Sequence, residues 1–372
     1  MKKSFIYSGT LALLLMGSTA FAQSGRQNTA LTTQTGVLND ARTTQKGGRQ
    51  NEAYVSQEGI LNSTEVTQKR GKRNVATVDQ EGLINYAEVL QVRGRDNEAE
   101  VDQEGVVNAA YIEQRRGNNN DAEIDQDGVA NMATITQRRG SHNDAEIDQE
   151  DEGNSAAIDQ LGGEDNDADI EQEEDYNSAY ILQTDGEDND AEIDQDGDEN
   201  FAIIVQPGGE DNEADIDQDG DYNMAGTLQM GEDNDADIEQ DGDSNLAGIM
   251  QAGEDNDADI EQDGEGNMAV VMQLGEGNEA DVRQDGLGHV AGVMQVGEDN
   301  EATVTQSGRM NSALVVQYGE DNLAEVDQWG RHGVATVLQE GVSNKAFVNQ
   351  GGRHNTAGVM QSGVANHAVI NQ

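Results

Sequence analysis

The chain has 372 residues, with 74 Asp and Glu against 21 Lys and Arg, a formal net charge of −53, 3% aromatics, one proline and no cysteine. The lack of cysteine excludes a disulfide framework, a thiolate metal site and a cysteine nucleophile. So few rings exclude an ordinary aromatic-rich core, one proline speaks against a long disordered linker, and the acidity repels nucleic acid and anionic membranes.

The first element is a leader. Lys2 and Lys3 precede an apolar run from Leu11 to Met16, followed by Ala20-Phe21-Ala22. A charged start, a short apolar stretch and an A-x-A site form a signal peptide. Residues 1–22 are therefore read as leader and Gln23 as the start of the mature chain. The apolar run is too short to span a membrane, and no longer one follows.

Repeats fill residues 23–372, read as a single domain. From Asn28 to Gln372 the unit N-x-A-x-V/I-x-Q recurs 31 times. Gln closes all 31 units, and Asn opens 29, the exceptions being His289 and Gly333. Ala holds the third position in 30, with Thr64 the exception. The fifth position is Val or Ile in 28 units and Thr at Thr32, Thr43 and Thr227, so it is always β-branched. Constancy at every second residue puts the constant side chains on one face of a strand, and β-branching suits a strand. The four or five residues between units usually contain Gly, which supplies the positive φ of a tight turn.

Unit spacing defines the coil. From Asn28 to Asn212 successive units start alternately 11 and 12 residues apart; after Asn212 every step is 11. Alternation means two distinct strands per coil. A first series starts at Asn28 and a second at Asn39. The expected fold is all-β: a parallel β-solenoid of two strands per 22–23-residue coil, about fifteen coils, with amyloid-like stacking at ~4.8 Å per layer and ~10 Å between sheets. Chain reversal at each turn sets Gln against Asn and Val or Ile against Ala. The buried amides need partners, and each can bond its copy one layer up. Asn234, Gln240, Asn245, Gln251, Asn256, Gln262, Asn267 and Gln273 represent the expected ladder. Turn and strand-end chemistry without ladders is the alternative for these amides.

The variable positions point outward and change along the chain. Near the N-terminus a basic ridge recurs at equivalent turns: Lys69, Arg70, Lys72 and Arg73; Arg93 and Arg95; Arg115 and Arg116; Arg138 and Arg139. It reads either as a gatekeeper against premature sheet contact or as a dock for the acidic middle of another rod. No Lys or Arg occurs from Ser141 to Val282. In eight successive first-series strands all three outward residues are acidic, among them Asp190, Glu192 and Asp194; Asp235, Asp237 and Glu239; and Asp257, Asp259 and Glu261. Such a lattice reads as a solvated, salt-screened face or as a weak Ca²⁺ site. His332 and His354, at equivalent turns one coil apart, read as turn residues, with a metal-binding pair as the alternative, and no other cofactor or metal is expected. The second series carries Met224, Gly226 and Leu228, then Leu246, Gly248 and Met250, then Met268, Val270 and Met272, a weakly apolar face. No catalytic constellation stands out among the five histidines and the many carboxylates, so the chain does not read as an enzyme. The last unit ends at Gln372, directly after a strand, and uncapped strand edges favour head-to-tail polymerisation.

The run Gln262-Asp263-Gly264-Glu265-Gly266-Asn267-Met268-Ala269, opened by Asn256 and closed by Gln273, resembles the curlin repeat S-x5-Q-x-G-x-x-N-x-A-x-x-x-Q, with Asn where that family often has Ser. The resemblance covers Asn28 to Gln372. It implies a secreted subunit of curli-like functional-amyloid fibres on the bacterial surface, for adhesion and aggregation in a biofilm matrix. Implied partners are further copies of itself, a nucleator subunit and an outer-membrane secretion channel; neither nucleic acid nor a membrane span is implied. Only Gln23 to Gln27 precede the first unit, so the family's channel-addressing segment is expected to be either missing or merged into the first coils. The rival readings are a calcium-binding secreted β-roll or adhesin, echoed by Gly208-Gly209-Glu210-Asp211, and a monomeric spacer. The β-roll has a nine-residue period, against 11 here.

Overall fold

The computed structural model describes residues 17–23 and 26–372. It holds 32 strands, from β1 (Gly17–Gln23) to β32 (His367–Asn371). Odd-numbered strands form one 16-stranded sheet and even-numbered strands another. Every pairing is to the strand two along, and every one is parallel, as in β20 (Asp235–Asp243) on β22 (Asp257–Glu265), where Ala236 lies on Ala258, Ile238 on Ile260 and Gln240 on Gln262. This is a parallel β-solenoid of sixteen layers. The 31 repeat units correspond to β2 (Thr29–Val37) through β32. The additional strand is β1, which pairs with β3 (Asp40–Lys46); its residues 17–22 fall within the expected leader. The rest of that leader lies outside the described residues.

The fold follows from the period-2 code. Along β22 the burial pattern alternates, with Ala258, Ile260 and Gln262 inside and Asp257 and Asp259 outside. The interior is a seam of Ala against Val or Ile; Ile112, Ile135, Ile193 and Ile260 are fully buried. Each such side chain contributes roughly 1.5–3 kcal/mol by leaving water. A small residue faces a branched one in every layer, so a thin core fills without aromatic rings.

The strands run further than the seven-residue units. β20, β22 and most later strands have nine residues and continue past Gln through the glycine. The ladder therefore crosses the place expected to be the turn. A glycine is still required there. Gly253 has φ +133°, and a Cβ on it would lie 1.8 Å from the carbonyl oxygen of Gly275 in the next layer. The reversal instead sits one residue before Asn, at left-handed residues such as Asp233 (φ 53°), Ser244 (φ 59°) and Asp255 (φ 53°). Asp and Ser tolerate this region because a short polar side chain can bond locally.

The change from 23- to 22-residue coils has a definite place. Between β17 (Phe201–Glu210) and β19 (Met224–Glu232) the register shifts between Val205 and Gly209. Pro207 and Gly208 lie in that gap. The only proline thus marks the last five-residue arc on that side, and its missing N–H falls at the register shift.

Candidate functional site

The molecule's candidate functional elements are the axial polar ladders, the two outer faces and the edges between them.

The glutamines form two continuous ladders, one per sheet. In the even sheet Gln240 Nε2 donates to Gln262 Oε1 at 2.8 Å, and Gln262 to Gln284 at 2.8 Å. In the odd sheet Gln251 donates to Gln273 at 3.0 Å, and Gln273 to Gln295 at 3.0 Å. The second amide hydrogen reaches a backbone carbonyl across the seam: Gln273 Nε2 donates to Asn278 O at 2.9 Å. All six of these glutamines are fully buried. A buried amide with both N–H groups and its oxygen engaged carries little desolvation cost.

Asparagine behaves differently in the two sheets. In the even sheet Asn256 Nδ2 donates to Asn234 Oδ1 at 2.8 Å, and Asn278 Nδ2 to Asn256 Oδ1 at 2.9 Å, a side-chain ladder. In the odd sheet Asn245 Nδ2 instead reaches the carbonyl of Gly264 at 3.0 Å, and Asn267 Nδ2 that of Gly286 at 3.3 Å. Their oxygens accept the backbone N–H of the next copy, Asn267 N to Asn245 Oδ1 at 3.0 Å. Asn245 and Asn267 thus bond along the axis through backbone groups, not amide to amide. Corner carbonyls lie within reach in both sheets, since Asn256 Nδ2 also donates to Gly275 O at 3.1 Å; the sheets differ in whether the amide reaches its own copy as well.

The two faces are unlike. The expected acidic residues stand in three columns. Asp190, Glu213, Asp235 and Asp257 form one; Glu192, Asp215, Asp237 and Asp259 the next; Asp194, Asp217, Glu239 and Glu261 the third. Close stacking perturbs them. Burial, then the neighbouring carboxylates Glu192 and Asp237, pushes Asp215 up to about 7. Burial, then Glu146 and Glu192, does the same to Asp169, also to about 7. Asp194 and Asp259 rise to about 6, again by burial first and stacked acids second. Arg283 ends the run by pairing with Glu261. The odd face carries Phe201, Met224, Met268 and Val270 as exposed apolar side chains.

Among the described residues, the one cluster whose ligand atoms lie within 4.8 Å of one another is His142, Glu164 and Asp165, all exposed. None of the nine acidic-face residues singled out above belongs to it. His332 and His354, at equivalent turns, stack face to face with centroids 4.9 Å apart. No helix among the described residues is long and apolar enough to cross a membrane.

The sequence reading missed the carboxyl shifts, since depth on a flat face is invisible in a string. It also missed the His142 cluster, which is assembled from two successive coils. Writing the coils one above another would have found that one.

Comparison with known families matches the description "Curlin associated repeat" over eight segments, residues 94–128, 117–150, 163–197, 186–220, 231–264, 253–286, 297–330 and 334–363, together more than half of the chain. The chain belongs to the curlin family. Its curlin segments begin at residue 94, yet β2 already stacks on β4 (Glu52–Ile60) with Gln34 on Gln57, the register of the later layers. No curated protein matches the chain closely enough to count as a relative.

Proposed function

We propose that the chain is a secreted structural subunit that self-assembles into curli-like amyloid fibres of an extracellular, biofilm-type matrix, serving adhesion and aggregation. In this reading it is a structural protein and not an enzyme, its leader directs export, and its partners are copies of itself, a nucleating subunit and an outer-membrane channel. The observation that carries the reading is the identity of successive layers. Each layer offers the next the same Gln donors and acceptors, the same Ala and Val or Ile knobs and the same strand edges. A layer from another copy would meet the same bonds as a layer from the same chain. Curlin membership supports the extracellular setting.

The test is assembly of the purified mature chain, residues 23–372, with and without a calcium chelator. Fibres that bind an amyloid dye, with reflections near ~4.8 Å along the axis and ~10 Å across it, are expected in both conditions. A chain that folds only with Ca²⁺ would favour the β-roll reading. A stable monomer that never elongates would favour a spacer and overturn the proposal.

A further inference from the structure

One edge of the rod carries a column of charge that changes sign part-way along. In the arc leading from each odd strand to the next even strand, one outward residue stacks on its own copy in the next layer. Parallel bridges link Arg26 to Arg49, Arg49 to Lys72, Lys72 to Arg95, Arg95 to Asn118, Asn118 to Ser141, Ser141 to Glu164 and Glu164 to Glu187. The column continues in register through Glu210, Glu232, Glu254 and Glu276. Read along the axis it is four cations, two neutral residues, then a long row of carboxylates.

The column is unbalanced within one chain. Among the described residues, none of Arg26, Arg49, Lys72 and Arg95 takes part in an intrachain ion pair. Glu164 and Glu187 are exposed, and the stacked Glu210, followed by slight burial, pushes the Glu187 carboxyl up. Like charges one layer apart repel on both halves. A partner with the opposite sequence of charge at the same axial spacing would relieve both.

The same edge, turned end for end, is that partner. We propose that this edge docks on the same edge of a second copy, antiparallel, about a two-fold axis passing between Asn118 and Ser141. In that arrangement Arg95 faces Glu164 of the second copy, Lys72 faces Glu187, Arg49 faces Glu210 and Arg26 faces Glu232, and the same four contacts recur on the other side of the axis. The neutral Asn118 and Ser141 sit where the two columns cross. Such an interface is isologous and closes as a dimer of rods. It is lateral, so it does not depend on axial fibre growth. Charge complementarity sets partner and orientation more than affinity, and exposed pairs are screened by salt.

The chain has no cysteine, which makes the test direct. In the full mature chain Ser141→Cys lies beside the axis, and head-to-tail stacking keeps its copies apart. At about 0.01 M salt, mild oxidation is expected to give a disulfide-linked dimer, which falls roughly tenfold at about 1 M salt, where the screening length is ~3 Å. Adding R26E/R49E/K72E/R95E is expected to abolish the cross-link, as is adding E164K/E187K/E210K/E232K, while a mixture of the two variants restores it. Unchanged circular dichroism of each variant shows that the exposed substitutions leave the fold intact. Cross-linking that survives salt or charge reversal, a mixture that fails to restore it, or low-salt association of the Ser141→Cys chain without the disulfide would overturn the proposal. So would failure to cross-link while a short single-stranded DNA binds through Arg49 and Lys72, which would make the basic half a site for a free polyanion.

Discussion

The layers up to Asn143 and those from Asn212 onward share one inward code but close it differently. In the later layers Asn234, Asn256, Asn278, Asn300 and Asn322 each donate a side-chain amide to the copy below, at 2.8–3.0 Å. In the earlier layers the amide nitrogens of Asn51, Asn74 and Asn120 are buried without a partner. The earlier coils also carry one additional arc residue. Identical core letters therefore do not guarantee identical stability. Several corner amides of the earlier layers go unmet, and an unmet buried donor costs about 1–3 kcal/mol. Cooperative opening should begin in the earlier layers.

The sharpest way to break this comparison is at the arcs. Gly275→Ala places a Cβ 1.9 Å from the Gly297 carbonyl oxygen and is expected to cost more than about 4 kcal/mol. Gly47→Ala meets only Arg70 Cγ at 3.7 Å and should cost about 1–2 kcal/mol, from its left-handed φ alone. Denaturant midpoints of the unassembled chain read the difference. Equal losses would mean that the left-handed φ, not the close approach of the next layer, sets the cost.

A smaller contrast concerns the amides. Asn256→Ala removes a donor to Asn234 and an acceptor for Asn278 and should cost about 2–3 kcal/mol. Asn120→Ala removes a nitrogen that already lacks a partner, leaving mainly the contact of its oxygen with the Asn143 N–H at 3.3 Å, and should cost about 1 kcal/mol. The same denaturation experiment checks both, and a larger loss at Asn120 would reverse the ranking of the two regions. Hydrogen exchange sharpens the point without mutation. Backbone amides of β20, β22 and β24 (Glu279–Leu287) should exchange roughly tenfold more slowly than those of β4 and β6 (Val75–Leu83), a difference of about 1.4 kcal/mol in local opening.

The mildest effect belongs to the acidic face, which runs through both regions. A carboxyl raised from 3.8 to about 7 in the fold, as at Asp169 and Asp215, binds its proton more readily folded than unfolded. Its penalty is fully present above pH 7 and is relieved as pH falls from 7 towards 4. Stability and assembly rate should rise over that window, and the double change Asp169→Asn and Asp215→Asn should flatten the rise. An unaltered pH profile in that variant would show that other groups set it.

The resemblance between sequence and fold is uneven, and the reason is physical. Ala236, Ile238 and Gln240 declare their face because each repeats at a spacing that only a strand tolerates, and Gln240 declares its ladder because only an axial copy can satisfy a buried amide in every coil. Asn245 and Asn234 look alike in the string, yet both bond a corner carbonyl and only Asn234 also donates to its own copy, since the distance between copies is set by a backbone path that no letter records. The repeat also suggests too short a strand: Gly242 looks like a turn, but in a stack its small size serves the close approach of the next layer.

The sequence by itself determined the parallel two-strand coil, the inward code and the sign of each outer face, because side-chain alternation and coil length are one-dimensional quantities. Only the tertiary structure decided where the reversal sits, which amides pair with which, how far the stacked carboxyls are shifted and that one edge changes sign along its length. Those depend on distances between residues 22 or 23 positions apart in the chain, which stacking brings to a single layer spacing of ~4.8 Å.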